Sequence, residues 1–596
     1  MGEKATSKKD DRIEIEAENG KLKKDLARLK KAVKNKKFGL VWMDVPEAFE
    51  NDVENKLPIL KEIPEKAIIN DDGKPTHILI EGDNFHALTC LNYTHKGKID
   101  VIYIDPPYNT GDDGFKYKDK RIVQTYPDGT LVPKDHPLRH SYWLSFMHKR
   151  LSLASELLKD LGAIFISINE EEMFNLKLLC DGIFGPQNYM TCFTVKVRHE
   201  DRILKGDKDF HEVVEYLLLY RKSSRFKTIK RIQENTSNED YRFTVVESGT
   251  PERIDFGGIE AQVFKPNEYE IREVVPGEKN LKRINIRGSI RSGNSSGRFY
   301  VKYIEPLRDN AGYLYKVPDI GNDGLGFRYF LAPSGRRKNG DYFQGVPINR
   351  GSEKEVPFPN YMDFEIDFNN VGYEGGIHFR EGKKPVNFIK HIIKLGTLNP
   401  EAIVLDFFAG SGSTAEAVLQ INEEENVRRQ VLLISNNENK IMEEICHPRI
   451  TNVVRGYRKR NTLIRGLGNS FKYYRTDFIG KNNVLNVTDA DKVELAHQAG
   501  ELLAIAENTL YKVKENDYWQ LYENGKRYTA VYFREELDQF EKFVAMVEKL
   551  KNPVTVYVFS WGDDEFDEEF EHIESAKVKT IPLPILEIYK NIYNAG

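Results

Sequence analysis

Short apolar runs alternate with amphipathic stretches in two parts of the chain, and this rhythm predicts its architecture. Between about 75 and 222, four runs predict strands at 77–80, 101–104, 163–168 and 216–220. A helical repeat before the third strand predicts a helix that ends at Gly162. Its apolar positions are Leu144, Met147, Leu151, Ala154, Leu158 and Leu161. Strands and helices in this alternation predict a parallel α/β sheet.

The rhythm stops between about 223 and 370, and it returns with predicted strands at 402–406 and 431–434. Near the N-terminus a stripe of two heptads predicts a surface helix rather than a zipper; it contains Leu22, Leu26, Leu29 and Val33. The pattern predicts an N-terminal helical segment (1–60), the first part of an α/β core (61–222), an insert (223–370), the second part of the core (371–470) and a small C-terminal α/β domain (471–596).

Composition is that of a globular protein with several folding units, since the chain has 596 residues and 40% hydrophobic content. Four cysteines without a C-x-x-C pair argue against a zinc or disulfide framework, and we predict no metal. No apolar run approaches the roughly 20 residues of a membrane span, so we expect a cytoplasmic protein. The net charge of −4 does not indicate a nucleic-acid ligand, but basic segments act locally.

The stretch Asp105-Pro106-Pro107-Tyr108 follows the strand at 101–104 directly. Proline donates no hydrogen bond to a sheet and fixes its own φ, so the two prolines end the strand in a stiff loop. In such a loop the Asp105 carboxylate and the Pro106 carbonyl can accept hydrogen bonds from an exocyclic amine, and Tyr108 can cover a flat ring. We predict a site for a nucleobase swung out of its stack. The alternative is a proline-terminated strand with an aspartate cap.

A second motif at 406–414 joins a predicted strand to a predicted helix. Its glycines permit a tight turn and a close approach of the backbone to a ligand, and Ser413 with Glu416 predicts a capping box at the helix start. The G-x-G-x-x-A spacing also fits the loose dinucleotide fingerprint. Because a nicotinamide enzyme has no need of an amine-binding site elsewhere, we favour S-adenosylmethionine as the cofactor.

The insert between the two motifs is rich in arginine and aromatic residues. Such side chains suit contacts with phosphates and base edges, although an irregular solvated domain is a common alternative. If the two halves form one methyltransferase, as the resemblance described below implies, this position favours double-stranded DNA as the ligand. The predicted DNA-contacting residues are Arg283, Arg287, Arg291, Arg298, Arg328, Arg336, Arg337 and Lys338.

The two motifs resemble those of S-adenosylmethionine-dependent amino-methyltransferases that act on DNA. Aspartate at the first tetrad position is typical of enzymes that methylate adenine N6, whereas cytosine N4 enzymes usually carry serine. The motif order resembles the circularly permuted β group of these enzymes, in which the insert is the target-recognition domain. The stretches at 211–212, 382–385 and 448–450, with the length and the C-terminal extension, resemble the modification subunit of type III restriction-modification systems.

The resemblance implies a Rossmann-like methyltransferase sheet and a catalytic role for Asp105, Pro106, Pro107 and Tyr108. At the end of the strand at 431–434, where such enzymes usually carry an acidic residue for the cofactor ribose, this chain has Ser435-Asn436-Asn437 before Glu438. The implied cofactor contacts are Asp83, Asn109, Thr110, Lys384, Pro385, Asp406, Phe408, Ala409, Gly410, Ser411, Gly412, Thr414 and Glu438.

The implied function is adenine-N6 methylation of duplex DNA by base flipping, as the modification and recognition subunit of a type III-like system. A homodimer and a separate restriction subunit are also implied, and the chain has neither a P-loop nor a convincing nuclease carboxylate cluster. Three alternatives stay open: a solitary DNA adenine methyltransferase, a catalytically inert DNA-recognition subunit, and an RNA or protein methyltransferase.

Overall fold

The computed structural model of the protein describes residues 40, 42, 56–110, 137–201, 209–234, 238–307, 309–333, 339–348, 353–379, 382–459, 462–480, 482, 484–562 and 566–595. The predicted N-terminal helix lies outside the described residues. The chain divides into two compact units. The first contains Met1–Ile229 and Pro359–Gly596, and the second contains Lys230–Phe358.

Strands and helices are numbered separately in chain order. The strands are β1 Leu57–Glu62, β2 Thr76–Glu81, β3 Ile99–Ile104, β4 Leu158–Ile168, β5 Tyr189–Lys196, β6 Val214–Arg221, β7 Arg231–Glu234, β8 Phe243–Glu247, β9 Glu252–Asp255, β10 Glu260–Phe264, β11 Tyr269–Glu273, β12 Lys282–Asn285, β13 Leu314–Pro318, β14 Phe327–Leu331, β15 Asp341–Gln344, β16 Glu353–Val356, β17 Tyr361–Asp363, β18 Ile403–Asp406, β19 Gln430–Ser435, β20 Gly456–Lys459, β21 Thr462–Arg465, β22 Ser470–Ile479, β23 Tyr511–Glu515, β24 Trp519–Glu523, β25 Tyr528–Tyr532, β26 Val554–Phe559 and β27 Ala576–Ile581. The α-helices are α1 Asn84–Thr94, α2 Pro137–Leu157, α3 Glu170–Phe184, α4 Ser289–Gly293, α5 Ser295–Phe299, α6 Glu365–Asn370, α7 Val386–Gly396, α8 Ser413–Glu425, α9 His447–Arg455, α10 Asp489–Gln498, α11 Gly500–Glu507, α12 Phe540–Val547, α13 Asp567–Phe570 and α14 Leu583–Ala595.

A ten-stranded sheet forms the centre of the first unit, in the order β1-β22-β2-β19-β18-β3-β4-β6-β5-β17. The six strands from β22 to β4 are parallel neighbours, whereas β1 and β6 run antiparallel to theirs. Both faces of the parallel part are covered, which is why β3 is buried along its whole length and reads as a continuous apolar run. The sheet is therefore mixed α/β, and the strands predicted at its centre are confirmed.

The predicted end of helix α2 at Gly162 is wrong. The helix ends at Leu157 and strand β4 begins at the next residue, so Gly162 lies inside the strand. A Cβ at position 162 would lie 2.9 Å from the carbonyl oxygen of Ile99 and 3.1 Å from that of Asp100. The glycine is thus explained by the close approach of β4 to β3 rather than by a helix cap.

The predicted boundary between the core and the C-terminal domain at 470/471 is also wrong, because β22 belongs to the central sheet, where it pairs with β1 and β2. A five-stranded sheet, β23 to β27, follows it. The Tyr589 hydroxyl on α14 donates to the carbonyl oxygen of Pro58 at 2.9 Å, so helix α14 is tied to strand β1. Among the described helices none is long and apolar enough to cross a membrane.

The second unit has a six-stranded antiparallel sheet of its own, in the order β12-β15-β14-β13-β10-β9. Its core is aromatic, with Tyr315, Phe330 and Tyr342 fully buried against Phe299. Many of the aromatic residues in the insert therefore build its core, whereas the sequence analysis considered them as contacts with base edges.

Candidate active site

The tetrad Asp105-Pro106-Pro107-Tyr108 stands at the carboxyl end of β3, as the sequence predicted. The carbonyl oxygen of Pro107 accepts a hydrogen bond from Trp143 Nε1 on α2 at 2.7 Å, which fixes the loop against the helix. The loop ends at Asn109, which has a left-handed backbone with φ of 59°. Asparagine tolerates this conformation better than most residues, so the chain can turn sharply after the tetrad.

Four polar side chains form a closed ring at the loop 105–109, the predicted catalytic loop: Asp105, Tyr108, Glu215 and Lys384. Tyr108 donates its hydroxyl hydrogen bond to Asp105 Oδ1 at 2.7 Å, and the same hydroxyl lies 3.2 Å from Glu215 Oε2 on β6. The Lys384 ammonium lies 3.0 Å from Asp105 Oδ1 and 3.2 Å from Glu215 Oε2. It also lies 4.9 Å from the centre of the Tyr108 ring, within cation–π range.

Burial and charge act in opposite directions on this ring. Burial raises the pKa of Asp105, the Lys384 ammonium lowers it, and the Glu215 carboxylate raises it, with a net increase. Burial lowers the pKa of Lys384, but Asp105 and Glu215 outweigh this effect, so the lysine stays charged. The sequence assigned Lys384 to the cofactor, whereas the structure places its ammonium on the two carboxylates.

Glu172, whose side chain is fully buried on α3, anchors the far end of the loop. It accepts hydrogen bonds from Asn109 Nδ2 at 2.6 Å and from Asn175 Nδ2 at 2.9 Å, and its Oε1 lies 2.7 Å from His140 Nδ1. The amide oxygen of Asn109 is buried and has no hydrogen-bond partner among the described residues. Thr110, the next predicted cofactor contact, is exposed.

The glycine turn at the end of β18 is organised by Asp406. Its carboxylate accepts from the Phe408 amide at 3.0 Å and from the Thr414 hydroxyl at 2.5 Å, so it bridges the turn and the first residues of α8. Gly412 is left-handed with φ of 76°, and a Cβ there would lie 3.0 Å from Cys446 Sγ. Burial raises the pKa of Asp406 to about 7, although both donors oppose it.

The predicted capping box of Ser413 and Glu416 is wrong, because Gly412 is the N-cap and makes no side-chain cap. Both side chains bind instead to Arg449, a buried residue of α9. Its guanidinium donates to Glu416 Oε2 from Nε and Nη2 at 3.0 and 2.7 Å, and to Ser413 Oγ at 2.5 Å. It also donates to Ser411 Oγ at 3.1 Å, so one arginine holds both sides of the turn.

The two loops lie at the same edge of the sheet. Strands β3 and β18 are parallel neighbours, with Val101 opposite Val404 and Ile102 opposite Leu405. The charge of Asp105 makes a small contribution to the raised pKa of Asp406, in keeping with this arrangement. Two loops about 300 residues apart in the chain therefore lie at the ends of neighbouring strands.

A third predicted segment joins them through helix α1. Asp83 is the N-cap of this helix and accepts from the Phe85 amide at 2.8 Å. The next residue, Asn84, donates to the carbonyl oxygen of Phe407 at 3.1 Å, and its own oxygen accepts from the buried Arg150. Arg150 also lies 3.3 Å from Asp83, so the start of α1 is fixed beside the glycine turn.

Other predicted cofactor residues occupy the neighbouring loops. Pro385 is the N-cap of α7, and Glu438 is half-buried in a short helical turn, Glu438–Lys440, after β19. The amide oxygen of Asn436, at the end of β19, is buried without a hydrogen-bond partner among the described residues. Together with the orphaned oxygen of Asn109, it offers an acceptor to a ligand that carries N–H or O–H donors.

The predicted DNA-contacting residues fall into four groups. Arg287 and Arg298 are exposed, whereas Arg283 and Arg291 are paired with Asp341 and Glu305. Arg328 is only 5% exposed, and its guanidinium is bonded to Asp323 and Ser296 inside the second unit. The prediction that Arg328 is a surface contact for DNA is wrong. If its guanidinium moved away to reach DNA, the buried Asp323 carboxylate would lose its positively charged partner. The last three, Arg336, Arg337 and Lys338, lie outside the described residues.

One group of described residues brings possible metal donors within 4.8 Å of each other: His199, Glu200 and Glu365. The Lys196 ammonium lies 2.6 Å from Glu200 and 2.8 Å from Glu365. The Lys196 ammonium bridges the two carboxylates, which explains why they lie close together without a metal.

The sequence analysis did not identify Glu215 or Glu172, and it did not identify Arg449 as the clamp that holds both sides of the glycine turn. Glu215 had a visible signal, a lone acid that interrupts an apolar run on β6. Arg449 lay within a motif used for the resemblance, but nothing in the pattern linked it to the glycine turn. The role of Glu172 depends on how α3 packs, which spacing along the chain does not reveal.

Comparison with known proteins gives a consistent family. The DNA methylase family model matches residues 99–445, more than half of the chain. The StyLTI Mod subunit of a type III restriction-modification enzyme from Salmonella typhimurium is 28% identical over 541 residues, covering 81% of this chain and 74% of that protein.

Two further relatives carry similar names. The probable HindVI Mod subunit of Haemophilus influenzae is 30% identical over 60% of this chain and 49% of its own length. The EcoPI Mod subunit of Escherichia phage P1 is 29% identical over 64% of this chain and 62% of its own length. This chain thus spans about half to three quarters of the length of these relatives, and the resemblance to type III modification subunits is confirmed.

Proposed function

The chain belongs to the DNA methylase family, and from that premise we propose that it transfers a methyl group from S-adenosylmethionine to adenine N6 in duplex DNA. The predicted enzyme class and cofactor agree with this family. The observation that carries the proposal is that the Asp105 carboxylate, directly after β3, and the glycine turn, directly after β18, follow parallel neighbouring strands. Ligands of open α/β sheets bind at this edge, beyond the carboxyl ends of the strands.

The residues at this edge fit the proposed methyl donor. The buried amide oxygens of Asn109 and Asn436 can accept hydrogen bonds from its amino and hydroxyl groups, and the turn at 409–412 can lie against its methionine part. The proposed contacts also include Asp83, at the start of α1, and Glu438, beyond β19. When bound, S-adenosylmethionine supplies an electrophilic methyl group on a positively charged sulfur.

The protein residues then orient the target amine. Among the described residues, the contacts to the Asp105 carboxylate fall on Oδ1, which leaves Oδ2 to accept a hydrogen bond from adenine N6. The Pro106 carbonyl is the proposed second acceptor. An ionised Asp105 also stabilises the positive charge that develops on the amine, and a fixed donor–acceptor geometry of this kind supplies most of the acceleration. Tyr108 stacks on the flipped base.

Adenine, rather than cytosine, is favoured by the aspartate at the first tetrad position. The relatives named as type III modification subunits support a separate restriction subunit as a partner, with cleavage carried out by that protein. The exposed arginines of the second unit are the proposed phosphate contacts, and the unit as a whole is the proposed target-recognition domain. A homodimer acting on host DNA in the cytoplasm completes the proposal.

The direct test measures transfer of a tritiated methyl group from S-adenosylmethionine to plasmid DNA, followed by analysis of the nucleosides. The label is expected in N6-methyladenine. Asp105→Ala is expected to lower the transfer rate by at least about 10²–10³-fold while cofactor affinity, measured by calorimetry, is retained. The control Lys390→Gln changes a lysine on the side of α7 that binds Glu424, and it should transfer like the wild type.

Each other result has a definite meaning. Label in N4-methylcytosine would reject adenine as the target, and label in RNA or protein would reject DNA. No label in any substrate would favour an inert recognition subunit, and near-normal transfer by Asp105→Ala would reject the assigned role of the tetrad. Co-purification of a helicase-nuclease protein with the native chain separates a type III subunit from a solitary enzyme.

A further inference from the structure

Two carboxylates, rather than one, face the proposed amine site. Glu215 lies on β6, two strands away from β3, yet its Oε2 contacts both the Tyr108 hydroxyl and the Lys384 ammonium that also contact Asp105. All three ionisable side chains are largely buried, with 8% of Lys384, 17% of Glu215 and 18% of Asp105 exposed. One ammonium thus serves two acids in a site with little water to screen them.

The arrangement gives the two flanking residues opposite effects on Asp105. A positive neighbour favours the ionised carboxylate and a negative neighbour disfavours it. Lys384 also lies against the ring of Tyr108, while Glu215 contacts its hydroxyl, so both residues hold the tyrosine as well as the aspartate. Neither effect requires contact with the base.

We propose that Glu215 and Lys384 are positioning residues of the methyl-transfer site, which together fix the orientation of Asp105 and Tyr108 and set the ionisation of Asp105 for amine binding. This inference rests on the proposed function for its consequence in catalysis. The effect of Glu215 and Lys384 on the ionisation of Asp105 can be measured in the free protein, and this part of the inference does not depend on the proposed function.

The groups that face Asp105 come from several elements. Tyr103 lies on β3 and Tyr108 on the loop after it; Lys384 precedes α7; Glu215 lies on β6; Asp406 ends β18. Burial raises the pKa of Asp105, and Glu215 adds to this increase, while Lys384 opposes it. Removing the lysine should therefore raise the pKa of Asp105, and removing Glu215 should lower it.

The first experiment follows kcat/KM for methyl transfer as a function of pH. If the ionised Asp105 binds the amine, activity is lost as the pH falls through its pKa. Lys384→Met is expected to move this acid limb to higher pH and Glu215→Gln to move it to lower pH, each by about one unit or more. Lys384→Arg keeps the positive charge, so its acid limb should stay near that of the wild type even if the rate falls.

Matched controls separate these shifts from general damage. Lys390→Gln and Glu171→Gln change the same residue types outside the ring, and Glu171 is exposed on the first turn of α3. Neither should move the acid limb. A role limited to packing would lower the rate of the ring variants at every pH without moving the limb in opposite directions.

The second experiment reads Asp105 in the free protein, without DNA or cofactor. Infrared difference spectra between each protein and its Asp105→Asn counterpart follow the protonated carboxyl band of Asp105 with pH. The titration midpoint is expected to rise in Lys384→Met and to fall in Glu215→Gln. Opposite shifts support the inference even if the wild type methylates no DNA, an outcome that would reject the proposed function alone.

Two outcomes would overturn the inference. One is an Asp105 titration that both variants leave unchanged or move in the same direction. The other is a result in which the two variants shift the Asp105 titration in opposite directions in the free protein, but the acid limb of an active enzyme does not move. The ring would then set the ionisation of Asp105 without affecting catalysis. If Lys384→Met fails to fold, the comparison of Glu215→Gln with Lys384→Arg still decides, because only the first removes a charge.

Discussion

The catalytic loop after β3 and the glycine turn after β18 lie side by side, yet they are held by different forces. The catalytic loop is surrounded by charged groups that are only partly balanced, since Lys384 serves both Asp105 and Glu215. The glycine turn is held by neutral donors on Asp406 and by one arginine paired with Glu416. The loop after β3 therefore supplies the charged groups of the proposed site, whereas the turn after β18 supplies a rigid surface for a ligand.

Breaking the clamp on the glycine turn should have the largest effect on stability. Arg449→Met leaves the buried Glu416 without its partner, and removing one member of a buried pair typically costs about 3–5 kcal/mol. Chemical denaturation is expected to show this loss, while Lys390→Met, which removes a half-exposed pair with Glu424, should cost about 1 kcal/mol or less. Equal stabilities for the two variants would contradict the clamp.

Replacing Asp406 with Asn should change how the stability of the protein depends on pH, which tests the contrast between the two loops. Burial raises the pKa of Asp406 from 3.8 to about 7, so the folded state binds this proton more tightly than the unfolded state. The ionised carboxylate therefore destabilises the fold increasingly as the pH rises from about 4 to 7, and the cost is constant above 7.

Asp406→Asn removes this cost, so its stability relative to the wild type should increase between pH 5 and pH 8 by an amount on the order of a few kcal/mol. Thermal unfolding at both pH values measures the difference. The substituted amide loses hydrogen bonds equally at either pH, so that loss does not change the slope. A relative stability that is flat, or that falls with pH, would contradict the raised pKa.

At the catalytic loop, Tyr108→Ala should lower binding and flipping of the target base by about 1–3 kcal/mol, roughly 5- to 150-fold. Tyr108→Phe keeps the ring and removes the hydroxyl that contacts Asp105 and Glu215, so it should flip the base like the wild type but transfer more slowly. Fluorescence of 2-aminopurine beside the target adenine follows the flipping. Unchanged flipping in Tyr108→Ala would remove the tyrosine from the base-binding role.

The smallest effect is expected in the second unit. Arg298 is exposed, so Arg298→Ala should weaken DNA binding similarly for all sequences and reduce the slope of log affinity against log salt by about 1. Lys526→Ala, an exposed residue near the C-terminal sheet, is the control and should leave the slope unchanged. An unchanged slope in Arg298→Ala would place the phosphate contact elsewhere.

The parts of this fold that were predictable depend on neighbours in the chain. Strands β3 and β18 were recognisable because both are buried on two faces and end in unusual residues. Gly162 and Ser413 were misassigned because a glycine between crowded strands, or a serine beside a buried arginine, looks locally like a helix end. Glu215 and Arg449 act through residues 107 and 33 positions away, so only the folded chain reveals their partners.

The most direct test of the central claim, that the two loops form one methyl-transfer site, is a crystal structure of the protein with sinefungin, a non-reactive analogue of S-adenosylmethionine. The analogue is expected on the turn at 409–412, with the amine that replaces the transferable methyl facing Asp105 and Tyr108. Binding away from either loop, or no binding while a nicotinamide dinucleotide occupies the turn, would contradict the claim.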